Sequence, residues 1–145
     1  MVAYSGGVDS TVLLHALHVM GLPLHAVHVN HQIQTQADAW EAHCKSQCEQ
    51  WGVPFTALRV KVEPSELGLE GQARLERYRA IFNWMKANQH HVLLCAHHRD
   101  DQLETVLLQL LRGSGFRGVG GMRAVGPVGV DRHLHPELLL GRPLL

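Results

Sequence analysis

Ser5-Gly6-Gly7-Val8-Asp9-Ser10 is the stretch whose reading decides the fold. A short apolar run, Val2-Ala3-Tyr4, precedes it. Val12, Leu13, Ala16, Leu17 and Met20 follow at the three-and-four spacing of one inward helix face. A strand, a tight turn and a helix N-terminus therefore stand in succession. Two adjacent glycines let the backbone bend sharply and approach a ligand closely, because neither carries a Cβ. The unpaired N–H groups of the helix start, reinforced by the positive end of its dipole, make a seat for phosphate oxygens. Ser5 and Ser10 add hydroxyl donors, and Asp9 is placed to hold a divalent cation beside the phosphates. A Walker A loop would need a lysine that this stretch lacks, and a Gly-x-Gly-x-x-Gly fingerprint is absent too. Phosphate charge must then be met by backbone amides, a metal and arginines from elsewhere. The competing reading, an N-cap serine after an ordinary strand-to-helix turn, explains one hydroxyl residue. It does not explain six specified residues in a row.

Outward from that loop, strands and helices alternate. Gly21 and Pro23 stop the first helix. Leu24–Val29 reads as a buried strand ending at Asn30-His31. A second helix is predicted from about Ala37 to Trp51, with Trp40, Cys44, Cys48 and Trp51 on one face and Gly52-Val53-Pro54 as terminator. Phe55–Val60 is a third strand, Glu63–Gly68 a loop, and a third helix runs from about Glu70 to Asn88. Val92–Ala96 is wholly apolar, as strands inside parallel sheets are. A fourth helix, from about Asp100 to Leu111, is expected to turn Leu103, Val106, Leu107, Leu110 and Leu111 inward. A glycine-rich segment follows, the stretch around Pro127 and Gly129 reads as irregular, and Leu138–Leu140 as a last strand. A pitch of roughly thirty residues implies right-handed βαβ units. The expected fold is α/β: one Rossmann-like domain over residues 1–145, an open, mostly parallel sheet with helices on both faces. Ligands gather beyond the carboxyl ends of such strands, where the glycine loop, Asn30-His31 and His97 onward all fall.

Two further stretches carry chemistry. His97-His98-Arg99-Asp100-Asp101-Gln102-Leu103-Glu104-Thr105 opens the fourth helix, and Asp101 and Glu104, three apart, share its first turn. Compensation of the helix dipole explains one or two acids there, but not two histidines, two aspartates and a glutamate. Such a cluster can hold Mg²⁺, accept protons or anchor an ammonium group. Arg74 and Arg77 lie on one face of the third helix. They read either as a surface pair with Glu70 or as an arginine clamp in place of the missing loop lysine.

Composition narrows the class. The chain has 145 residues, 46% of them hydrophobic, which suits one compact soluble domain. No apolar run approaches membrane-spanning length and no basic-then-apolar leader opens the chain, so no membrane partner is expected and cytoplasmic residence is. The three cysteines give no disulfide framework. Cys44 and Cys48 are spaced Cys-x₃-Cys and share a stripe with tryptophans, which favours packing over metal binding. Formal charge is zero, although Arg112, Arg117, Arg123, Arg132 and Arg142 crowd the last third. That crowding reads either as solvated surface or as a rim for nucleic-acid phosphates.

Taken together, these stretches resemble one family, tRNA(Ile)-lysidine synthetase, within the PP-loop (N-type ATP pyrophosphatase, adenine nucleotide alpha hydrolase-like) superfamily. The resemblance rests on Ser-Gly-Gly-Val-Asp-Ser at 5–10, His-Val-Asn-His at 28–31, Glu-Gly-Gln-Ala-Arg-Leu-Glu-Arg-Tyr at 70–78 and His-His-Arg-Asp-Asp-Gln-Leu-Glu-Thr at 97–105. Arg-Gly-Ser-Gly at 112–115, Gly-Met at 121–122 and Arg-Pro-Leu-Leu at 142–145 complete it. The first motif is shared by all PP-loop enzymes; the set in this order is specific. The resemblance implies ATP and Mg²⁺ as cofactors, free L-lysine as substrate and a CAU-anticodon tRNA(Ile) as partner. ATP would adenylate the wobble cytidine, and the lysine ε-amine would then displace AMP. Carried over by motif, Ser5, Gly6, Gly7, Asp9 and Ser10 would hold phosphates and metal, with Arg74 beside them. Arg77 and His97 would contact phosphate and the adenylated base, while Asp101 and Glu104 would position lysine or metal. The stretch resembles the family's catalytic domain without its C-terminal tRNA-gripping domains, so ATP binding with poor tRNA modification is expected. Oligomeric state is open, a homodimer included. Two other readings stand beside it: a PP-loop tRNA thiolase, which would need reactive cysteines at the active edge, and a nucleotide-binding domain without turnover, which would not need the acids of 97–105.

Overall fold

A computed structural model describes residues 1–32, 35–62, 68–113, 120–130 and 133–145. Most of the Glu63–Gly68 loop, most of the glycine-rich segment, and Arg117 and Arg132 lie outside the described residues. The elements are β1 (Val2–Ala3), α1 (Val8–Val19), β2 (Ala26–Asn30), α2 (Ala37–Trp51), β3 (Phe55–Arg59), α3 (Gly68–Ala87), β4 (Val92–Leu94), α4 (Arg99–Leu111), β5 (Val125–Val130) and β6 (His133–Gly141). They build one six-stranded sheet in the order β3-β2-β1-β4-β6-β5. Every pairing is parallel except β5 with β6.

The sheet's two faces read directly from the period-2 alternation of its strands. Val2, Tyr4 and Ala26 pack with Leu13 and Leu14 of α1 and Cys44 and Cys48 of α2. Val27, Leu93 and Cys95 turn the other way, onto Ile81, Phe82 and Met85 of α3, together with Leu138 and Leu140 of β6. Helices thus cover both faces, and the α/β expectation holds. Gly52, at φ +66°, closes α2 in the left-handed conformation that glycine adopts without strain.

Three expectations fail. In α1, Leu13 and Leu14 are buried, but Val12 and Met20 are exposed, so the inward stripe is narrower than the apolar spacing suggested. In α4 no residue is buried, and Leu103, Leu107, Leu110 and Leu111 face outward. Periodicity shows that a helix has an apolar stripe; it does not show what covers the stripe. The stretch around Pro127 and Gly129 is strand β5, hairpin partner of β6, with a register shift between Pro127 and Val128. Proline is tolerated there because β5 is the sheet's edge, where a missing N–H breaks no ladder on the open side.

The connections from β1 run to β2 on one side, while β4 lies on the other. The carboxyl ends of β1, β2, β4 and β6 therefore release Ser5, His31, Cys95 and Arg142 around a switch in strand order, where open α/β sheets form their binding crevice.

Candidate active site

A cleft of about 650 Å³ opens at this edge. Ser5, Gly7, Asp9 and Ser10 form one wall, with Asn30, His31, Trp40, Arg77, Tyr78, Cys95 and His97 around it. The loop is tied by its own hydroxyls. Ser10 Oγ donates to the Gly7 carbonyl (3.0 Å), Ser5 Oγ lies 3.0 Å from Ser10 Oγ, and the Gly7 N–H reaches Ser5 Oγ at 3.3 Å. Gly7 is the N-cap of α1 and brings no side-chain acceptor. The first N–H groups of α1 are therefore left for a ligand rather than consumed by a cap, contrary to the N-cap-serine reading. Gly6 sits at φ +81°, and a Cβ there would lie 2.6 Å from Cys44 Sγ and 3.0 Å from Trp40 Nε1. Glycine is required by torsion and by space together.

The second chemical stretch faces the first. His98 is the N-cap of α4: its Nδ1 accepts the Asp100 N–H at 3.2 Å, and Asp101 Oδ2 accepts the His98 N–H at 2.8 Å. With Nδ1 accepting, the proton of a neutral ring sits on Nε2. That atom lies 3.6 Å from Asp9 Oδ2 and 3.7 Å from Asp101 Oδ2. A single imidazole thus stands between the loop's carboxylate and that of α4. His97, one residue earlier, lines the cleft, and its buried Nδ1 has no partner among the described residues. Burial first, then the charges of Arg142, Arg74 and Arg77, hold its pKa below the usual imidazole value, against the pull of Asp101. His31, whose buried Nδ1 likewise has no partner among the described residues, has its pKa lowered by burial and by Arg77. Both rings are biased towards the neutral form, which can accept or donate one hydrogen bond to a substrate edge.

Arg77 lines the cleft and Arg74 does not, although both guanidinium groups sit over the Tyr78 ring, at 5.7 and 5.8 Å. Glu104 is exposed one turn along α4 and is not among the lining residues. Asp101 spends one oxygen on the cap, so the dipole-and-cap reading accounts for part of its presence.

The sequence pattern marked some participants without showing their places. His98, read only as one of two histidines in its cluster, is the one that bridges Asp9 and Asp101. Arg142 reaches His97 electrostatically from the end of β6 and donates from Nη1 to the Arg123 carbonyl at 2.6 Å. Its Arg-Pro-Leu-Leu motif was visible but its effect on His97 was not. Asn30, buried, donates to Asp38 Oδ1 (3.1 Å) and Glu41 Oε2 (2.8 Å), tying β2 to the start of α2. Burial alone would raise the Glu41 pKa, but hydrogen bonds from Arg59 and Asn30 outweigh it and hold the carboxyl low.

Cysteine chemistry finds no support. Cys95 lies just past β4 and lines the cleft, not inside a strand as expected. Burial pushes the Cys44, Cys48 and Cys95 thiols up to about 11, and the thiolate is the reactive form. Among the described residues no group of three His, Cys, Asp or Glu is placed to hold a metal, and no helix is long and apolar enough to cross a membrane.

A glycine turn opening a helix at the crevice of a mostly parallel sheet is the arrangement of α/β domains that seat nucleotides. The chain belongs to the PP-loop domain family, whose profile matches residues 1–145. Among curated proteins it is similar to the tRNA(Ile)-lysidine synthase of Alkalilimnicola ehrlichii, 52% identical over 94% of this chain and 32% of that protein. The tRNA(Ile)-lysidine synthase of Yersinia pseudotuberculosis is 42% identical over 100% of the chain and 33% of its own length, and that of Shigella flexneri 44% over 95% and 33%. The chain therefore spans about a third of the length of these relatives. Among solved structures, the U34-tRNA thiolase NcsA from Methanococcus maripaludis, described with its [4Fe-4S] cluster, matches with a TM-score of 0.69 over 80% of this chain and 44% of that one. At 18% identity, that likeness concerns the fold alone.

Proposed function

We propose that this chain is the ATP-using part of a tRNA(Ile)-lysidine synthase: it activates the wobble cytidine of a CAU-anticodon tRNA(Ile) with ATP, and lysine then replaces AMP. The supporting observation is the cleft lined by both the glycine loop and His97, with His98 3.6 Å from the loop's Asp9, in a chain similar to those synthases along its length. The N–H groups at the start of α1, with Ser5 and Ser10, receive the β- and γ-phosphates and keep them after cleavage as pyrophosphate. Arg77, which also lines the cleft, draws the α-phosphate toward the attacking oxygen. The cytidine carbonyl oxygen attacks that phosphorus, the bond to the β-phosphate oxygen breaks, and pyrophosphate carries off the electron pair. His97, uncharged, hydrogen-bonds the adenylated base. Asp101 and Glu104 hold the lysine ammonium at the mouth, and a carboxylate there takes the proton that the amine must lose before attacking the ring carbon and expelling AMP.

Mg²⁺ fits the donors present. Asp9 offers an exposed carboxylate, Ser5 and Ser10 offer hydroxyl oxygens, and Mg²⁺ is usually bound by one or two carboxylates plus phosphates and water rather than by an all-protein cage. When bound it would neutralise phosphate charge that no loop lysine meets. Residence in the cytoplasm, where ATP and tRNA occur together, belongs to the same reading. The test is exchange of labelled pyrophosphate into ATP in the presence of CAU-anticodon tRNA(Ile), with Asp9→Ala alongside. Exchange that needs that tRNA and falls at least about tenfold in D9A, the loss of one transition-state contact, supports the proposal. Exchange indifferent to tRNA or to Asp9 contradicts it.

A further inference from the structure

Trp40 is the aromatic residue that sits oddly in this molecule. Half its surface is exposed, so it contributes little to the core, yet it lines the cleft. Its indole Nε1–H donates to the Ser5 carbonyl at 2.6 Å. That carbonyl belongs to the peptide joining Ser5 to Gly6, the first peptide of the phosphate loop. In a trans peptide the C=O and the following N–H point in opposite directions. Holding the Ser5 oxygen against α2 therefore turns the Gly6 N–H away from α2.

On its far side this peptide is held only by Gly6, which has no side chain to restrict its φ and already sits at +81°. A flip would exchange a donor for a carbonyl lone pair beside an anion. Trp40 opposes the flip, and Cys44, one helical turn on, packs where a Gly6 Cβ would stand. Helix α2 is itself fixed to the sheet at this end by Asn30, which holds Asp38 and Glu41, and by Arg59, which holds Glu41 at 3.1 Å. The indole is thus mounted on a braced element.

We infer that Trp40 is a positioning residue for phosphate binding: its indole N–H locks the Ser5–Gly6 peptide in the orientation that keeps the loop's donors directed at the phosphates of ATP. The inference rests on the phosphate-loop reading above. It assigns Trp40 no contact with the reacting atoms.

The experiment compares wild type, Trp40→Phe and Trp51→Phe by calorimetric titration with Mg-ATP and with pyrophosphate, alongside thermal unfolding. W40F keeps a ring and loses the N–H. W51F removes the indole at the far end of the same helix, where Trp51 packs on His15 and His18. W40F is expected to bind both ligands about three- to tenfold more weakly, the worth of one hydrogen bond, with a melting temperature within about 2 °C of wild type. W51F is expected to bind as wild type does. Wild-type affinity in W40F overturns the inference and leaves the loop reading intact. No binding by the wild type overturns both. Should W40F fail to fold, amide spectra of the wild type decide. Joint shifts of the Trp40 indole and Gly6 amide signals on adding pyrophosphate support the lock, and an indole signal that ignores pyrophosphate overturns it.

Discussion

Replacing Gly6 with alanine tests the geometry of the loop most severely. Two penalties add. The backbone at φ +81° costs an L-residue about 1–2 kcal/mol. The new methyl would lie 2.6 Å from Cys44 Sγ, a fully buried atom that cannot swing into solvent, and 3.0 Å from Trp40 Nε1. Overpacking of that kind costs about 1–3 kcal/mol. The variant should therefore lose about 2–5 kcal/mol in urea unfolding, or move the loop off α2 and spend the same free energy as lost ATP affinity, tenfold for each 1.4 kcal/mol or so. A second change separates the terms. Cys44→Ala removes the sulfur, so the double variant should recover the packing part, a favourable coupling of about 1–3 kcal/mol, while the torsional part stays. Unfolding free energy and ATP titration on the four proteins complete the cycle. A Gly6→Ala chain as stable and as tight-binding as wild type would refute the reasoning, and a coupling near zero would refute its steric half.

Other outcomes follow from the same structure. Asn30→Asp places a third carboxylate about 3 Å from those of Asp38 and Glu41, and should cost at least about 2 kcal/mol at neutral pH, read by urea unfolding; unchanged stability would show that the brace on α2 is idle. Half-buried His25, His31, His90 and His97 all have lowered pKa values, so the unfolded chain binds protons that the folded one refuses. Stability should hold steady above about pH 7 and fall as pH drops below the unfolded imidazole value near 6.5, with a shallower fall in His97→Asn, followed by melting temperature against pH. The thiols of Cys44, Cys48 and Cys95, buried and pushed up to about 11, should resist a thiol reagent at pH 8 in the folded protein and react at once in urea. Rapid native labelling of Cys95 would revive a sulfur-transfer reading.

What could be read in advance followed from short-range chemistry. Strands β1 to β4 and helices α1 to α3 announced themselves through apolar runs, glycine stops and Pro23 and Pro54, each acting within a few residues. Leu138–Leu140 likewise marked part of β6, but β5 was not legible, because Pro127 and Gly129 are poor strand formers tolerated only by the accident of an edge. The outward leucines of α4 show the same limit from the other side, since a stripe was legible and its covering was not. At the site, the glycine loop was legible because torsion and phosphate chemistry both demand particular residues. The bridging place of His98, the reach of Arg142 and the hold of Trp40 on Ser5 depend on which strand ends become neighbours, and that is a property of the sheet order rather than of any local motif.

The claim on which everything else depends is that the loop holds pyrophosphate while the α-phosphate is transferred. It is tested most directly by giving the protein ATP labelled at the α-phosphate, with CAU-anticodon tRNA(Ile) and no lysine. The account predicts pyrophosphate release with label bound to the tRNA, released as AMP when lysine is added. Release of inorganic phosphate and labelled ADP would contradict it.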